Sequence, residues 1–133
     1  MESRPTSKRI LIAEDDPPSA VLLTELLTVW GYEVKVARNG EEAIAALLAE
    51  PCDLMVLDLQ MPVLDGFATL DFARREPRFA GVPAIALTAF AMQEDRERVL
   101  AAGFTSYLTK PVQFGALKQA IESALGARQD PPG

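Results

Sequence analysis

Five short apolar runs alternate with segments of helical periodicity along the chain, and this alternation constrains the fold more than any other feature. The runs are RILIA, YEVKVA, DLMVLD, VPAIALT and FTSYLTK, which begin at Arg9, Tyr32, Asp53, Val82 and Phe104. Runs that are apolar on consecutive positions are typical of strands buried on both faces, whereas YEVKVA alternates as an edge strand does. The alternation of strands and helices predicts a doubly wound α/β domain, in which helices cover both faces of a five-stranded parallel sheet.

The helical segments indicate which residues face the sheet. The first segment ends at Gly31, the third at Pro77 and the fourth at Gly103, and the last begins at Phe114. The fourth segment, MQEDRERVLAAG, has a charged outer face, which is most often simply solvated. The apolar residues expected to be buried in the first two segments are Val21, Leu22, Leu23, Leu26, Leu27, Trp30, Ala43, Ile44, Leu47 and Leu48.

Length and charge limit the possible functions. A chain of 133 residues, about half of them apolar, suits one domain, which we predict over residues 8–125 with tails at 1–7 and 126–133. A formal net charge of -6 argues against nucleic-acid binding, because phosphate backbones are bound by clustered Lys and Arg. No apolar stretch approaches the roughly 20 residues of a membrane span, so we expect no membrane insertion and a cytoplasmic location.

Two features of the composition exclude whole reaction mechanisms. The chain contains no histidine, so it can form neither a Ser-His-Asp triad nor a histidine metal site. Its single cysteine, Cys52, excludes an internal disulfide and is expected to be a buried structural thiol. Any chemistry must therefore depend on carboxylates, lysine, hydroxyls and backbone groups.

Polar residues follow four of the predicted strands at the points where these strands end. They are Glu14, Asp15, Asp16, Asp58, Thr88 and Lys110. In doubly wound sheets, ligands bind beyond the carboxyl ends of the strands. If the strands take the flavodoxin-like order 2-1-3-4-5, the first and third are neighbours, and Asp15 and Asp58 converge.

Converging carboxylates repel one another unless they are protonated or bridged by a cation, and an open site built from oxygen ligands suits Mg²⁺. A metal would also make Asp58 a plausible nucleophile toward a phosphoryl group, with Lys110 and Thr88 placed to bind its oxygens. Each residue also has an ordinary structural interpretation. Asp15 or Asp16 could cap the first helix, Thr88 could cap the fourth, and Lys110 could be a solvated surface residue. The occurrence of all of them at the ends of core strands favours a functional site.

Four motifs occur in this order, ILIAEDD, DLMVLDLQMPVLDG, AIALTAFAM and YLTKP, and they run from Ile10 to Pro111 within the domain predicted at about residues 8 to 125. With them the chain resembles the receiver domains of bacterial response regulators, the CheY-like family. The resemblance implies that Asp58 accepts a phosphoryl group from a phosphohistidine on a histidine kinase or phosphotransfer protein. It also implies that Mg²⁺ is bound by Asp15, with Glu14 beside it, by Asp58, and by the backbone carbonyl of Gln60.

The resemblance further implies that Thr88 and Lys110 hold the phosphoryl oxygens and that the Lys110–Pro111 bond is cis. Tyr107 matches the aromatic residue that turns inward in this family when the threonine shifts. The surface formed by the fourth helix, fifth strand and fifth helix would then contact a downstream protein, and a phosphorylation-dependent dimer is possible. A further hypothesis is that Phe90 and Gln60 slow the loss of the phosphoryl group.

Several alternatives stay open at this point. The pattern fits both a stand-alone regulator of the DivK type and the receiver of a hybrid kinase acting as a phosphorelay intermediate, and an unphosphorylated docking module is a further possibility. A phosphatase of the haloacid dehalogenase type needs a second acid two residues after the nucleophile, where this chain has Gln60. A nucleotide- or flavin-binding module needs a glycine-rich loop after the first strand, where this chain has EDDPPS.

Overall fold

The computed structural model describes residues 7–89 and 93–129, and its elements follow the predicted order. The strands are β1 (Arg9–Ala13), β2 (Glu33–Ala37), β3 (Leu54–Asp58), β4 (Ala84–Thr88) and β5 (Ser106–Thr109). The helices are α1 (Pro17–Val29), α2 (Gly40–Ala49), α3 (Gly66–Arg75), α4 (Gln93–Ala102) and α5 (Phe114–Gln129). All neighbouring strands are parallel and lie in the order β2-β1-β3-β4-β5. The predicted doubly wound sheet is therefore confirmed, with β2 at one edge.

Within the described residues, three helices begin at a polar residue that accepts a hydrogen bond from the first helical turn. Asp16 accepts from the Ser19 amide at 3.2 Å, Asn39 from the Glu42 amide at 2.8 Å, and Asp65 from the Ala68 amide at 2.9 Å. Such caps satisfy amide groups that have no partner within the helix. The structural interpretation of Asp16 as the cap of the first helix is thus correct.

The sheet separates two apolar clusters. One lies under α2, α3 and α4 and includes Leu11, Met55, Leu57, Leu70, Ala86 and Val99. The other lies under α1 and α5 and includes Ile12, Leu27, Val56, Ile85, Leu117 and Ile121. Alternate residues of each central strand point to opposite clusters, as the pleat of a strand requires. This two-sided burial explains why β3 and β4 are apolar on consecutive positions.

Some residues expected in the core lie at the surface. The exposed fractions are 56% for Val21, 46% for Leu22 and 49% for Leu48. Of the residues of α1, Leu23 and Leu27 are the buried ones, because only the side of the helix that faces the sheet is covered. The expectation that Cys52 is buried is also wrong: the thiol is half-buried and packs against the cluster under α2, α3 and α4.

Two further predictions concern the limits and location of the domain. Helix α5 continues to Gln129, beyond residue 125, where we expected the domain to end. The predicted limits of 8 and 125 stay a prediction. Among the described residues, no helix has the length and apolar character needed to cross a membrane.

Arg74 of α3 joins three segments at the amino-terminal end of β4. Its guanidinium donates hydrogen bonds to the carbonyl oxygens of Val82 at 2.8 Å, Phe79 at 3.4 Å and Gly103 at 3.0 Å. We expect Arg74→Ala to lower the free energy of unfolding by about 2 kcal/mol, because partly buried carbonyl groups lose a charged donor. Urea denaturation of the purified variant measures this change.

The neighbouring residue provides a matched control. Arg75 pairs with Asp71 at 2.9 Å, and both side chains are exposed. Arg75→Ala should cost less than about 0.5 kcal/mol, because exposed ion pairs of this kind contribute little. Equal losses in Arg74→Ala and Arg75→Ala would show that the three carbonyl contacts of Arg74 do not stabilise the domain.

Candidate functional site

The adjacent ends of β1 and β3 bring carboxylates together. The two strands pair in parallel with Ala13 opposite Leu57, so the residues that come next, Glu14 and Asp58, emerge at the same edge of the sheet. Glu14 is 1% exposed and Asp58 is 2% exposed. One carboxylate oxygen from each of Glu14, Asp15 and Asp58 lies within 4.8 Å of the other two. The expected convergence of Asp15 and Asp58 is therefore confirmed, with Glu14 as the third member.

Each oxygen of the Asp58 carboxylate accepts a hydrogen bond. Oδ1 accepts from the backbone amide of Gln60 at 2.9 Å, and Oδ2 accepts from the ammonium group of Lys110 at 2.8 Å. A carboxylate this deeply buried would cost several kcal/mol if it had no partner. These two donors keep the Asp58 charge compensated while leaving the acid at the edge of the crevice.

Lys110 joins the ends of β3 and β1 across the site. Besides Asp58, its Nζ lies 3.0 Å from Oε1 of Glu14. Burial alone would lower the pKa of Lys110, but the hydrogen bond to Asp58 and the negative charge of the nearby Glu14 carboxylate outweigh it and raise this pKa above its ordinary value. The ammonium group therefore stays charged at neutral pH. The Lys110–Pro111 peptide bond is cis, as expected from the sequence.

The two carboxylate oxygens of Glu14 have different surroundings. Its Oε2 accepts a hydrogen bond from the Asp16 amide at 3.1 Å. Its Oε1 is close to Lys110 but has no hydrogen bond of good geometry within the described part of the chain. Burial raises the pKa of Glu14 above its ordinary value, and the nearby Asp58 carboxyl adds to the rise, although Lys110 opposes it.

These observations test whether the site fits a metal ion. Three carboxylates with converging oxygens form a set of hard ligands, which suits a divalent cation such as Mg²⁺. The buried Oε1 of Glu14, without a hydrogen bond of good geometry, is an oxygen that a cation could bind. The cluster of Glu14, Asp15 and Asp58 could therefore hold a metal.

Thr88 and Lys110 lie on different sides of the end of β3. Thr88 is 1% exposed and ends β4, one residue beyond the position that pairs with Asp58. It lines a cavity of about 160 Å³ between α3 and α4, shared with Leu59, Gln60, Asp65, Phe67, Asp95, Arg98 and Val99. Lys110 lines a separate cavity of about 160 Å³ between α1 and α5. The sequence did not reveal this separation, because it depends on the pairing register of β4 and β5, in which Thr88 lies opposite Thr109 and Lys110 therefore belongs to the other face of the sheet.

The remaining predicted residues have mixed outcomes. Gln60 is exposed and contacts the site through its backbone amide. Tyr107 is half-buried and packs against the cluster under α2, α3 and α4. It lies opposite Ala86 in the β4–β5 pairing. Phe90 lies outside the described residues.

Two contacts of α4 were missed, because QEDRER was interpreted as a solvated face: Arg96 lies over the ring of Tyr107, and Arg98 over the ring of Phe67.

The chain is similar to known proteins over nearly its whole length. Its residues 10–122 match the family model of the response regulator receiver domain. The polar-differentiation response regulator DivK of Brucella anthropi is 33% identical over 119 residues, which cover 90% of this chain and 97% of DivK. The sensor histidine kinase GacS of Pseudomonas protegens is 35% identical over 116 residues, which cover 85% of this chain and 13% of GacS.

A solved structure shares both the fold and a related sequence. The receiver domain of a sensor histidine kinase from Pseudomonas aeruginosa PAO1, with a magnesium ion coordinated in its active site cleft, superposes with a TM-score of 0.84. It is 33% identical, and the match covers 91% of this chain and 99% of that domain. The family model, the relatives and the fold all indicate the same family, and the carboxylates and lysine gathered at the strand ends are consistent with it. The chain therefore belongs to the family of response regulator receiver domains.

Proposed function

We propose that this receiver domain is a phosphorylatable switch in two-component signalling and that Asp58 is its phosphoacceptor. The single observation that carries the proposal is the placement of the Asp58 carboxylate, which is bound by Lys110 on one oxygen and lies within a cluster of acidic ligands. The donor would be a phosphohistidine on a histidine kinase or a histidine phosphotransfer protein.

In the proposed reaction, an oxygen of Asp58 attacks the phosphorus atom of the phosphohistidine. The new O–P bond forms as the N–P bond breaks, and the imidazole nitrogen leaves with the electron pair of that bond and is then protonated. Lys110 already contacts Asp58 and can pair with the phosphoryl oxygens once they arrive. Thr88 is proposed to donate a hydrogen bond from its hydroxyl group to another phosphoryl oxygen.

Glu14, Asp15, Asp58 and the backbone carbonyl of Gln60 are proposed to hold Mg²⁺. The bound ion would supply positive charge that offsets the phosphoryl oxygens during transfer. The acidic cluster supports this assignment, because three carboxylates so close together repel one another without a cation. Lys110 balances part of that charge and stays protonated, since its pKa is raised.

The proposed output is a change on the surface formed by α4, β5 and α5. A phosphoryl group at Asp58 adds negative charge beside Thr88, and Tyr107 shares a sheet face with Thr88. The downstream partner would be a protein that binds this surface in one of its two states. A phosphorylation-dependent dimer and a cytoplasmic location stay predictions.

A second candidate is the receiver of a hybrid histidine kinase, acting as an intermediate in a phosphorelay. The similarity to GacS favours it, since this chain matches a segment that makes up 13% of that kinase. The chemistry at Asp58 would be the same. The difference is that the phosphoryl group would pass on to a second histidine. Transfer of the phosphoryl group from phosphorylated Asp58 to the histidine of a purified phosphotransfer protein would therefore favour this second candidate.

Phosphorylation by a small donor tests the proposed function. Incubation of the purified chain with acetyl phosphate and Mg²⁺ should add about 80 Da, the mass of one phosphoryl group, and peptide mapping should place it on Asp58. Replacing Mg²⁺ by excess chelator should abolish the adduct, because the acidic cluster then lacks its cation. An adduct on another residue, or equal labelling in the presence of chelator, would contradict the proposal.

A further inference from the structure

Helix α4 has little apolar anchorage. Among its described residues only Val99 is buried, whereas α3 buries four residues, Gly66, Thr69, Leu70 and Ala73. Leu100 of α4 is 44% exposed. The position of α4 on the domain must therefore depend on contacts other than the burial of an apolar face.

Two arginines supply such contacts. Arg96 lies over the ring of Tyr107 on β5, 5.7 Å from the guanidinium carbon to the ring centroid. Arg98 lies over the ring of Phe67 on α3, at 4.3 Å. Both distances fall within the range of about 6 Å over which a cation is attracted to the face of an aromatic ring. The two contacts connect α4 to both of its neighbours.

The helical geometry explains how both contacts form. Residues two positions apart in an α-helix are rotated by about 200°, so Arg96 and Arg98 leave the helix on opposite flanks. Val99 lies between them on the side that faces the sheet. Seen along its axis, α4 is held by one valine underneath and by one arginine on each side.

The aromatic partners of the two arginines differ in how firmly they are held. Phe67 packs edge-on against Phe104, with ring centroids 6.0 Å apart and planes at 83°, and Phe104 is 4% exposed. Tyr107 is half-buried on the edge strand β5 and pairs with Ala86, which lies two residues before Thr88 on the same sheet face. The small side chain of Ala86 leaves the tyrosine ring without a bulky neighbour on β4 between it and Thr88.

We propose that Arg96 is a positioning residue that holds the Tyr107 ring in its half-exposed place and so opposes the switch. This inference rests on the proposed function and on the expectation, from the resemblance of the sequence, that the Tyr107 ring turns inward when Thr88 shifts after phosphorylation. Inward movement breaks the stacking between Arg96 and Tyr107. The contact of Arg98 with Phe67 stays intact, so α4 remains attached to α3 while its β5 side is released.

Fluorine NMR of protein labelled with 3-fluorotyrosine tests this role. The chain has two tyrosines, and Tyr32 packs in the other apolar cluster, under α1 and α5, so it serves as an internal reference. In unphosphorylated Arg96→Ala, the Tyr107 resonance should move toward its position in the phosphorylated wild type, while the Tyr32 resonance stays unchanged. Phosphorylation by acetyl phosphate should become about two- to five-fold faster, as expected from losing one exposed cation–π contact that favours the resting state. Arg96→Lys should stay close to the wild type, because an ammonium group is attracted to the ring as well.

Two further variants separate this role from a general loosening of the domain. Arg98→Ala removes the contact on the other flank of α4 and should lower the melting temperature without moving the Tyr107 resonance. Arg78→Ala removes a cation–π contact remote from α4, 5.0 Å above the Phe79 ring. It should change neither the Tyr107 resonance nor the rate of phosphorylation. An equal displacement of the Tyr107 resonance in Arg96→Ala and Arg98→Ala would overturn the specific role of Arg96.

The failure of this inference differs from the failure of the proposed function. A wild-type chain that acquires no phosphoryl adduct would overturn both. A normally phosphorylated wild type, with an Arg96→Ala variant whose rate and Tyr107 resonance are unchanged, would overturn only the role of Arg96.

Discussion

The Asp58→Asn variant is expected to acquire no phosphoryl group from acetyl phosphate, even with saturating Mg²⁺. The amide has nearly the same shape as the carboxylate and can still accept a hydrogen bond from Lys110, but it lacks the nucleophilic oxygen that forms the acyl phosphate. Intact-protein mass spectrometry should show labelling at least about 100-fold below the wild type, because the variant lacks the atom to which the phosphoryl group is bound. In practice no phosphoryl adduct should be detected. This is the largest functional effect that a single substitution in this chain should have.

Asp71→Asn is the matched control for Asp58→Asn. It makes the same chemical change on the exposed surface of α3, where Asp71 pairs with Arg75. Its labelling should equal that of the wild type, so a general effect of removing one negative charge would be detected. Labelling of Asp58→Asn at the wild-type level would show that another side chain is the acceptor.

The strands could be predicted because they depend on local sequence, and the acidic cluster because it depends, in addition, only on the order of the strands. The runs that form β3 and β4 are apolar on consecutive positions, and burial on both faces of a parallel sheet requires this. A charged residue that ends such a run must lie at the carboxyl edge, where Asp58 is found. Once the strand order made β1 and β3 neighbours, Glu14 and Asp15 had to lie near Asp58.

Other features depend on distances that no local pattern encodes. The exposed fractions of Val21 and Leu22 are set by how much of α1 the sheet covers. The apolar character of these residues does not determine that coverage. Likewise, Arg96 and Arg98 belong to a run of charged residues that is typical of a solvated face, and their ring contacts require α3 and β5 to be positioned first. Side-chain contacts between elements were therefore the part of the molecule that the sequence could not reveal.

The start of α3 packs directly against the backbone that carries Asp58. The amide of Gly66, the first residue of α3, donates a hydrogen bond to the carbonyl oxygen of Leu59 at 3.2 Å. A β-carbon at this position would lie 2.6 Å from the carbonyl oxygen of Asp58 and 2.9 Å from the Cα of Leu59. These are backbone atoms at the end of a buried central strand, so they cannot move aside as the end of a flexible side chain could.

We therefore expect Gly66→Ala to lower the free energy of unfolding by about 3 kcal/mol, since overpacking against rigid atoms forces backbone shifts. A loss of this size should lower the melting temperature by roughly 10 °C. Gly126→Ala in α5 is the matched control, because a β-carbon there meets no atom of the described residues within 4 Å. That change should raise stability by about 0.5–1 kcal/mol, the usual gain of alanine over glycine inside a helix. Calorimetry of both variants measures the two shifts, which should have opposite signs. A melting temperature of Gly66→Ala within about 2 °C of the wild type would correspond to a loss of less than about 1 kcal/mol. It would show that α3 can move away from β3 at little cost and that the close packing beside Asp58 is not required.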